Sequence, residues 1–262
     1  MGLPDASDGT VAHVTGASSG IGEAFARKLA ERGYRVALVA RSEDKLKALA
    51  AEIGGDAEVL PCDLADSGAR ERLVADVESR GLRVEVLVNN AGFGVYDDFV
   101  ESDHDREIQQ VRLNVEAVID LTHHFLPAMV ERDRGAIVNV ASTSAFQPIP
   151  GNAGYSASKA FVLTFSEALH EETRKTGVSV TALCPGPVRT GFQEASPGAE
   201  ELLGNMPKPA WKSAEDVVDA GLKGADAGKR VVVPGVPNRV GGVAGRFSPR
   251  ALQLRVMRGM GD

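Results

Sequence analysis

The chain has 262 residues, 43% hydrophobic and 25% charged, the balance of an ordinary soluble globular protein. Its net charge of −7 argues against a general nucleic-acid binder, which is expected to be basic. The two cysteines, Cys62 and Cys184, are too few for a disulfide framework and read as small buried hydrophobes.

The opening Met1-Gly2-Leu3-Pro4-Asp5-Ala6 has no apolar run for a signal peptide, and Ala6 stands where a myristoylation pattern needs Ser or Thr. No stretch approaches the roughly 18 uninterrupted apolar residues of a membrane span. A cytoplasmic protein is expected.

Short β-branched runs alternate with longer amphipathic ones. Thr10–Thr15 reads as a strand, Gly20–Arg32 as a helix and Arg35–Ala40 as the second strand. Ser42–Ile53 follows as a helix capped by Ser42, then a strand over Ala57–Cys62 and a helix over Ser67–Arg80. Val84–Asn89 is the fourth strand. A long helix is expected from about Ser102 to Glu131, kinked or ended near Pro127. Ala136–Ala141, Tyr155–Thr176 and Val178–Cys184 continue as strand, helix and strand, and Ser213–Ala225 and Arg230–Val233 add one more of each. Such alternation implies parallel βαβ units with right-handed crossovers. With no linker or repeat to interrupt it, the pattern predicts a single doubly wound α/β domain over 1–262. Residues 186–212 are rich in Pro, Gly and Glu and follow the sixth strand, where a long connection would cover a ligand crevice as a lid.

The run Thr15-Gly16-Ala17-Ser18-Ser19-Gly20-Ile21-Gly22 joins the first strand to the first helix. Its glycines allow a tight turn and let the backbone approach a pyrophosphate at the helix N-terminus. The second strand ends Val39-Ala40-Arg41-Ser42, without the carboxylate that usually holds an NAD ribose hydroxyl. Arg41 could instead fork a 2′-phosphate, so NADP(H) is expected over NAD(H). Asp63 after the third strand, and Asn90, Ala91 and Gly92 after the fourth, fall at the same sheet edge and are further cofactor candidates.

In Tyr155-Ser156-Ala157-Ser158-Lys159 a phenol and an ammonium are four residues apart, on one face of a helix. A phenol is a poor acid at neutral pH, and a nearby positive charge favours its anion, which suits proton exchange with a carbonyl or alcohol. Ser142 lies upstream at the end of a strand. The histidines suggest no metal, because His123 and His124 face different ways and no HExxH pattern occurs. All are expected at surface or satisfied core positions.

With these motifs, TGASSGIG at Thr15–Gly22, CDL at Cys62–Leu64, NNAG at Asn89–Gly92, YSASK at Tyr155–Lys159 and PGPVRT at Pro185–Thr190, the chain resembles the short-chain dehydrogenase/reductase family from about Thr10 to Val233. The resemblance implies a Rossmann-like, seven-stranded parallel sheet in the order 3-2-1-4-5-6-7. In that order Cys62 and Cys184 sit on strands several spacings apart, too far for a disulfide. It implies a catalytic core and cofactor site over 10–185, with 238–262 as a C-terminal extension. It also implies a catalytic tetrad of Asn114, Ser142, Tyr155 and Lys159, with Ser142 preferred over Thr143 and Ser144 by the family's usual gap. In it Tyr gives its proton to the carbonyl oxygen, Ser orients that oxygen, Lys binds the nicotinamide ribose and lowers the tyrosine's pKa, and Asn anchors a water. Further implied cofactor contacts are Leu64, Pro185, Gly186, Val188 and Thr190, with Tyr155 and Lys159 themselves, and assembly as a homodimer or homotetramer.

Residues expected around the reacting carbon are Phe93, Gly94, Tyr96, Ala145, Phe146, Gln147, Pro148, Ile149, Phe192 and Met206, a mainly apolar set without an arginine clamp. A lipophilic ketone, aldehyde or secondary alcohol is favoured as a small-molecule substrate, with reduction the expected direction. Two alternatives stay open: an NADP-binding sensor or interaction protein, and an NADP-dependent epimerase or dehydratase on the same fold. The tail after Pro237 mixes Arg239, Arg246, Arg250, Arg255 and Arg258 with Leu252, Leu254, Val256 and Met257. It reads either as an interface or surface helix or as a peripheral membrane contact or entry flap, without stable membrane insertion.

Overall fold

The computed structural model describes residues 2–54, 56–196, 198–199, 204 and 208–258, with no account of the side chains of 193, 194 and 256–258. Strands Thr10–Thr15 (β1), Arg35–Ala40 (β2), Glu58–Pro61 (β3), Arg83–Asn89 (β4), Gly135–Val140 (β5), Val178–Leu183 (β6) and Val231–Val232 (β7) form one sheet in the order β3-β2-β1-β4-β5-β6-β7. Every pairing is parallel, so all carboxyl ends share one edge, as the alternating pattern requires.

The strands read as continuous apolar runs because both faces are covered. On β2, Val36 and Leu38 point into one cluster with Phe25 and Leu29 of α1 (Gly20–Glu31) and Leu46 of α2 (Glu43–Ile53). Helix α8 (Ala214–Asp226) adds Val217, Val218 and Leu222 to that layer. Ala37 and Val39 point the other way, toward Leu73 and Val77 of α3 (Ser67–Ser79) and Leu121, Phe125 and Met129 of α5 (Ala117–Glu131). A third cluster joins Ala145 and Phe146 to Val162 and Leu163 of α6 (Ala153–Glu172). No helix among the described residues is long and apolar enough to cross a membrane.

Several boundaries differ from the sequence reading. Ser42 occupies the N-cap of α2 but makes no side-chain capping bond, whereas Asp66, Asp103 and Ser213 cap their helices by accepting from the backbone amide three positions on. The expected long helix is two helices, α4 (His104–Val111) and α5, joined by a π turn over Arg112–Glu116. Pro127 neither ends nor divides α5, which runs on to Glu131. Its missing N–H releases only the carbonyl of exposed His123, which water can satisfy. The interruption falls at Asn114, the buried residue of the π turn. Beyond β7 the tail forms α9 (Val236–Phe247) and α10 (Arg250–Arg258), while α7 is the short helix Phe192–Ala195.

The two cysteines are free and buried, and burial pushes their thiols up to about 11 for Cys62 and about 12 for Cys184. Both stay protonated and unreactive. Among the described residues no group of three or more His, Cys, Asp or Glu could hold a metal.

His13 corrects the expectation of a surface or satisfied core histidine. It is fully buried on β1, 5.3 Å from the Phe125 ring, and neither ring nitrogen has a hydrogen-bond partner. Burial pushes it from 6.5 down to about 4. Between those values the unfolded chain binds a proton that the folded chain refuses, so stability present above pH 6.5 is lost as pH falls toward 4. The loss amounts to about 3 kcal/mol across the window. His13→Leu is expected to flatten that part of the acid limb, read as urea midpoints at about pH 7 and about pH 5. An unchanged pH slope in the variant refutes it.

Candidate active site

The cleft begins where β1 and β4 end side by side. Thr15 Oγ1 accepts from the backbone amides of Asn90 and Ala91 at 2.9 and 3.0 Å, and Asn90 Nδ2 donates to the Thr15 carbonyl at 2.9 Å. These bonds lock the glycine turn against the NNAG segment. Gly16 and Gly20 lie at φ +69° and +59°, the left-handed region, and a Cβ on Gly22 would stand 2.2 Å from the Gly16 carbonyl oxygen. The turn therefore presents bare backbone to the cleft.

That cleft has a volume of about 1500 Å³ along the carboxyl edge. Of the expected cofactor contacts, Gly16, Ser18, Ser19, Gly20 and Ile21 line its floor, with Arg41 exposed at the β2 corner and Asp63 and Leu64 beyond β3. Asn90, Ala91, Gly92, Pro185, Gly186, Val188 and Thr190 line the rest, with Tyr155 and Lys159. Gly22 stands behind the wall, needed for close packing and not for contact.

The four expected catalytic residues converge. Tyr155 and Lys159 are buried on α6, and Ser142 follows β5, where its Oγ accepts from the Ser144 amide at 3.1 Å. Lys159 Nζ donates to the Val140 carbonyl at 2.9 Å and lies 5.7 Å from the centre of the Tyr155 ring. Asn114 sits outside the cleft lining. Its Nδ2 donates to the Phe93 carbonyl at 2.9 Å and to Ser158 Oγ at 3.1 Å, and its Oδ1 accepts from the Phe93 amide at 3.2 Å. The π turn thus fastens the loop after β4 to α6.

The electrostatics differ from the sequence reading in one respect. Burial pushes Tyr155 up to about 12, opposed only by a hydrogen bond to Ser142, and burial pulls Lys159 down to about 8. The phenol's net shift is thus upward, and the Lys159 ammonium is turned to the Val140 carbonyl.

The expected substrate residues divide. Phe93, Tyr96, Gln147, Ile149 and Phe192 line the cleft. Tyr96, Tyr155 and Phe192 form an aromatic cage, with centroids 5.8 Å apart for both pairs that include Tyr155 and 6.4 Å for Tyr96–Phe192. Ala145, Phe146, Pro148 and Gly94 do not line it. Ala145 and Phe146 are buried in the cluster beneath α6, since the 3-10 turn Thr143–Phe146 aims them inward. Gly94 supports the cage from behind, where a Cβ would meet the Tyr96 ring at 2.6 Å. Met206 lies outside the described residues.

Other contributors were missed by the sequence reading. Ser196 Oγ accepts from the Gly94 amide at 2.9 Å, and Arg106 donates to the Ala195 carbonyl at 2.9 Å, so the described part of the expected lid is clasped to α4 and the loop after β4. Buried Asn238 donates to the Ala210 and Pro234 carbonyls at 2.9 and 3.0 Å and packs on Gly186. Leu254, from α10, reaches the cleft itself. Neither Asn238 nor Leu254 belongs to a motif, and both are remote in sequence from the residues they serve.

A seven-stranded parallel sheet with a glycine turn at one carboxyl corner and a buried Ser–Tyr–Lys group at the next defines a dinucleotide-dependent class of α/β protein. Residues 10–201 match the model of the short chain dehydrogenases, and the chain belongs to that family of oxidoreductases. A very-long-chain 3-oxoacyl-CoA reductase of Anas platyrhynchos is 39% identical over 198 residues. The match spans 72% of this chain and 62% of that relative's length. A 7beta-hydroxysteroid dehydrogenase structure superposes with a TM-score of 0.84 at 26% identity over 100% of both chains. A short-chain dehydrogenase from Sphingobium yanoikuyae in complex with NADPH gives 0.76 at 32% identity, covering 97% of this chain and 95% of that one.

Gly92 holds this geometry open. A Cβ there would stand 2.8 Å from Asn114 Oδ1 and 3.4 Å from Lys159 Nζ. Gly92→Ala is expected to displace that pair and cut turnover on the order of a hundredfold, with an unchanged circular dichroism spectrum. Near-normal turnover in the folded variant contradicts this account.

Proposed function

We propose that the protein is an NADP(H)-dependent reductase that converts a lipophilic ketone to a secondary alcohol. The observation that carries the reading is the convergence of Ser142, Tyr155 and Lys159 in one cleft with an apolar, aromatic flank. The cleft suits a dinucleotide on structural grounds. The Gly16–Gly22 backbone is bare where side chains would collide, and Ser18, Ser19 and Arg41 offer hydroxyl and guanidinium donors along its length. Those groups, with Asp63, Asn90, Thr190 and Lys159, would hold the cofactor, and the nicotinamide when bound supplies the hydride.

The chain's own residues handle the proton and the oxygen. Tyr155, raised to about 12, is protonated at neutral pH, the form that reduction consumes. It gives its phenolic proton to the carbonyl oxygen as that oxygen gains negative charge, while the Ser142 hydroxyl donates a hydrogen bond to the same atom. One hydride and one proton are added, and a secondary alcohol results. Lys159, buried and lowered to about 8, is poised to exchange a proton near neutral pH and so to reprotonate the site. Tyr96 and Phe192 keep water from the phenol and offer an apolar wall to the substrate. This fits the chemistry in the names of the similar proteins, a very-long-chain 3-oxoacyl-CoA reductase and a hydroxysteroid dehydrogenase.

Tyr155→Phe is expected to lower NADPH oxidation with a bulky ketone by about 10²–10⁴-fold while leaving NADPH affinity nearly unchanged. Substantial residual turnover removes Tyr155 from its role. Arg41→Ala is expected to reduce the ratio of kcat/KM for NADPH over NADH by about ten- to a hundredfold, the worth of one charged hydrogen bond. A ratio unaffected by the substitution removes Arg41 from cofactor choice.

A further inference from the structure

Helix α9 is packed the wrong way round for an ordinary surface helix. Its buried positions are Asn238, Gly242 and Gly245. The two glycines lie against Phe146 and Gln147, where a Cβ would come within 3.0 Å of the Phe146 ring and 3.3 Å of Gln147 Oε1. Its large apolar side chains point out, with Val236, Val240, Val243 and Phe247 exposed by 71%, 64%, 54% and 79%. At about 100° per residue these four fall within roughly 60° of one another, opposite the glycine face. Nothing in the core requires such a stripe.

The tail's own charge is of one sign, although Glu167 and Glu171 of α6 stand beside it and pair with Arg246 and Arg230. From Ala227 to Gly261 the sequence holds seven lysines and arginines and no aspartate or glutamate, in a chain of net charge −7. On the helical wheel Arg239 and Arg246 both run along one side of the apolar stripe. Arg246 is paired with Glu167 at 3.1 Å, and Arg250 donates to Gln253 Oε1 at 3.1 Å. Arg239 and Arg255 are exposed. Helix α10 adds exposed Leu252 (51%) and, on a different side of the helix, Leu254 (43%), and buried Gln253 fastens it to α9 by donating to the Gly245 and Ser248 carbonyls.

We propose that α9 and α10 form a peripheral docking face for an anionic lipid bilayer. An exposed apolar stripe bordered by arginines is the pattern by which a helix lies in the headgroup region, with the aliphatic stems of the arginines along the apolar zone and their heads at lipid phosphates. The charge favours a lipid surface over a second copy of this acidic chain, because a two-fold contact would set the cationic strips of two tails against each other. Leu254 of α10 lines the cleft, so the tail that carries the docking face also forms part of the cleft wall.

The test needs no turnover and stands apart from the reductase reading. The full chain is sedimented with vesicles of phosphatidylcholine alone and with vesicles containing one third phosphatidylglycerol. Wild type is expected to pellet with the anionic vesicles only and to be released by high salt. Val240→Ser with Phe247→Ser, both on the exposed stripe, is expected to weaken pelleting at least about tenfold at an unchanged melting temperature. Arg239→Gln with Arg255→Gln is expected to weaken it about fivefold for each arginine removed. Failure of wild type to pellet, or pelleting indifferent to lipid charge, overturns the proposal. So does a two-chain species in light scattering that the Val240→Ser, Phe247→Ser variant converts to single chains without any loss of vesicle binding.

Discussion

The arrangement depends on keeping one amine out of water. Lys159 is 5% exposed, and removing an ammonium from solvent is costly unless its donors are met. Its Nζ bonds the Val140 carbonyl at the end of β5, and the surroundings adapt to it. Gly92 has no side chain because one would press on the ammonium and on Asn114. Asn114 sits on a π turn, which inserts one residue into the helical register and carries its amide onto the Phe93 backbone and Ser158. The residual cost of burial emerges as a lysine poised near pH 8 beside a phenol that stays protonated. Proton-handling capacity here is a product of desolvation more than of paired charge.

Much of this was legible in the chain. Strands buried on both faces show as unbroken apolar runs, and all seven were placed within one residue at either end because Val, Ala, Leu and Ile have no competing reading there. The order of motifs, from the glycine turn to Tyr155 and Lys159, follows chain order, so their meeting at one edge follows once the crossovers are right-handed. What escaped was of two kinds. The π turn at Arg112–Glu116 leaves helical periodicity intact on both sides, while Pro127 advertises a break that does not occur, since its unbonded carbonyl is on the wet side. Phe146 looked like a substrate contact by position and proved to be core, because one residue of rotation in a 3-10 turn decides between cleft and interior.

The second kind is long-range. Asn238 and Leu254 lie far along the chain from the motifs, yet the first ties the segment around Ala210 to the tail and the second forms part of the cleft wall. A single sequence has no local signal for such partners. Asparagine in a helix is unremarkable until its two donors are seen on carbonyls of different segments.

The two sides of the cleft have different origins. Most of the floor, from Gly16 to Asn90, belongs to the parallel sheet, where parallel pairing fixes strand positions and glycine contacts leave no latitude. On the far wall Phe192 and Leu254 come from segments outside the sheet whose ties, among the described residues, include the polar ones of Ser196 to Gly94, Arg106 to Ala195 and Asn238 to Ala210. Each such tie is worth roughly 1 kcal/mol, little compared with the packed strands below. Changes in these outer segments therefore alter what enters the cleft without disturbing the Ser–Tyr–Lys group. Helix α9 turns its glycines inward, so the close approach to Phe146 anchors the tail through backbone contact and leaves its large side chains facing out.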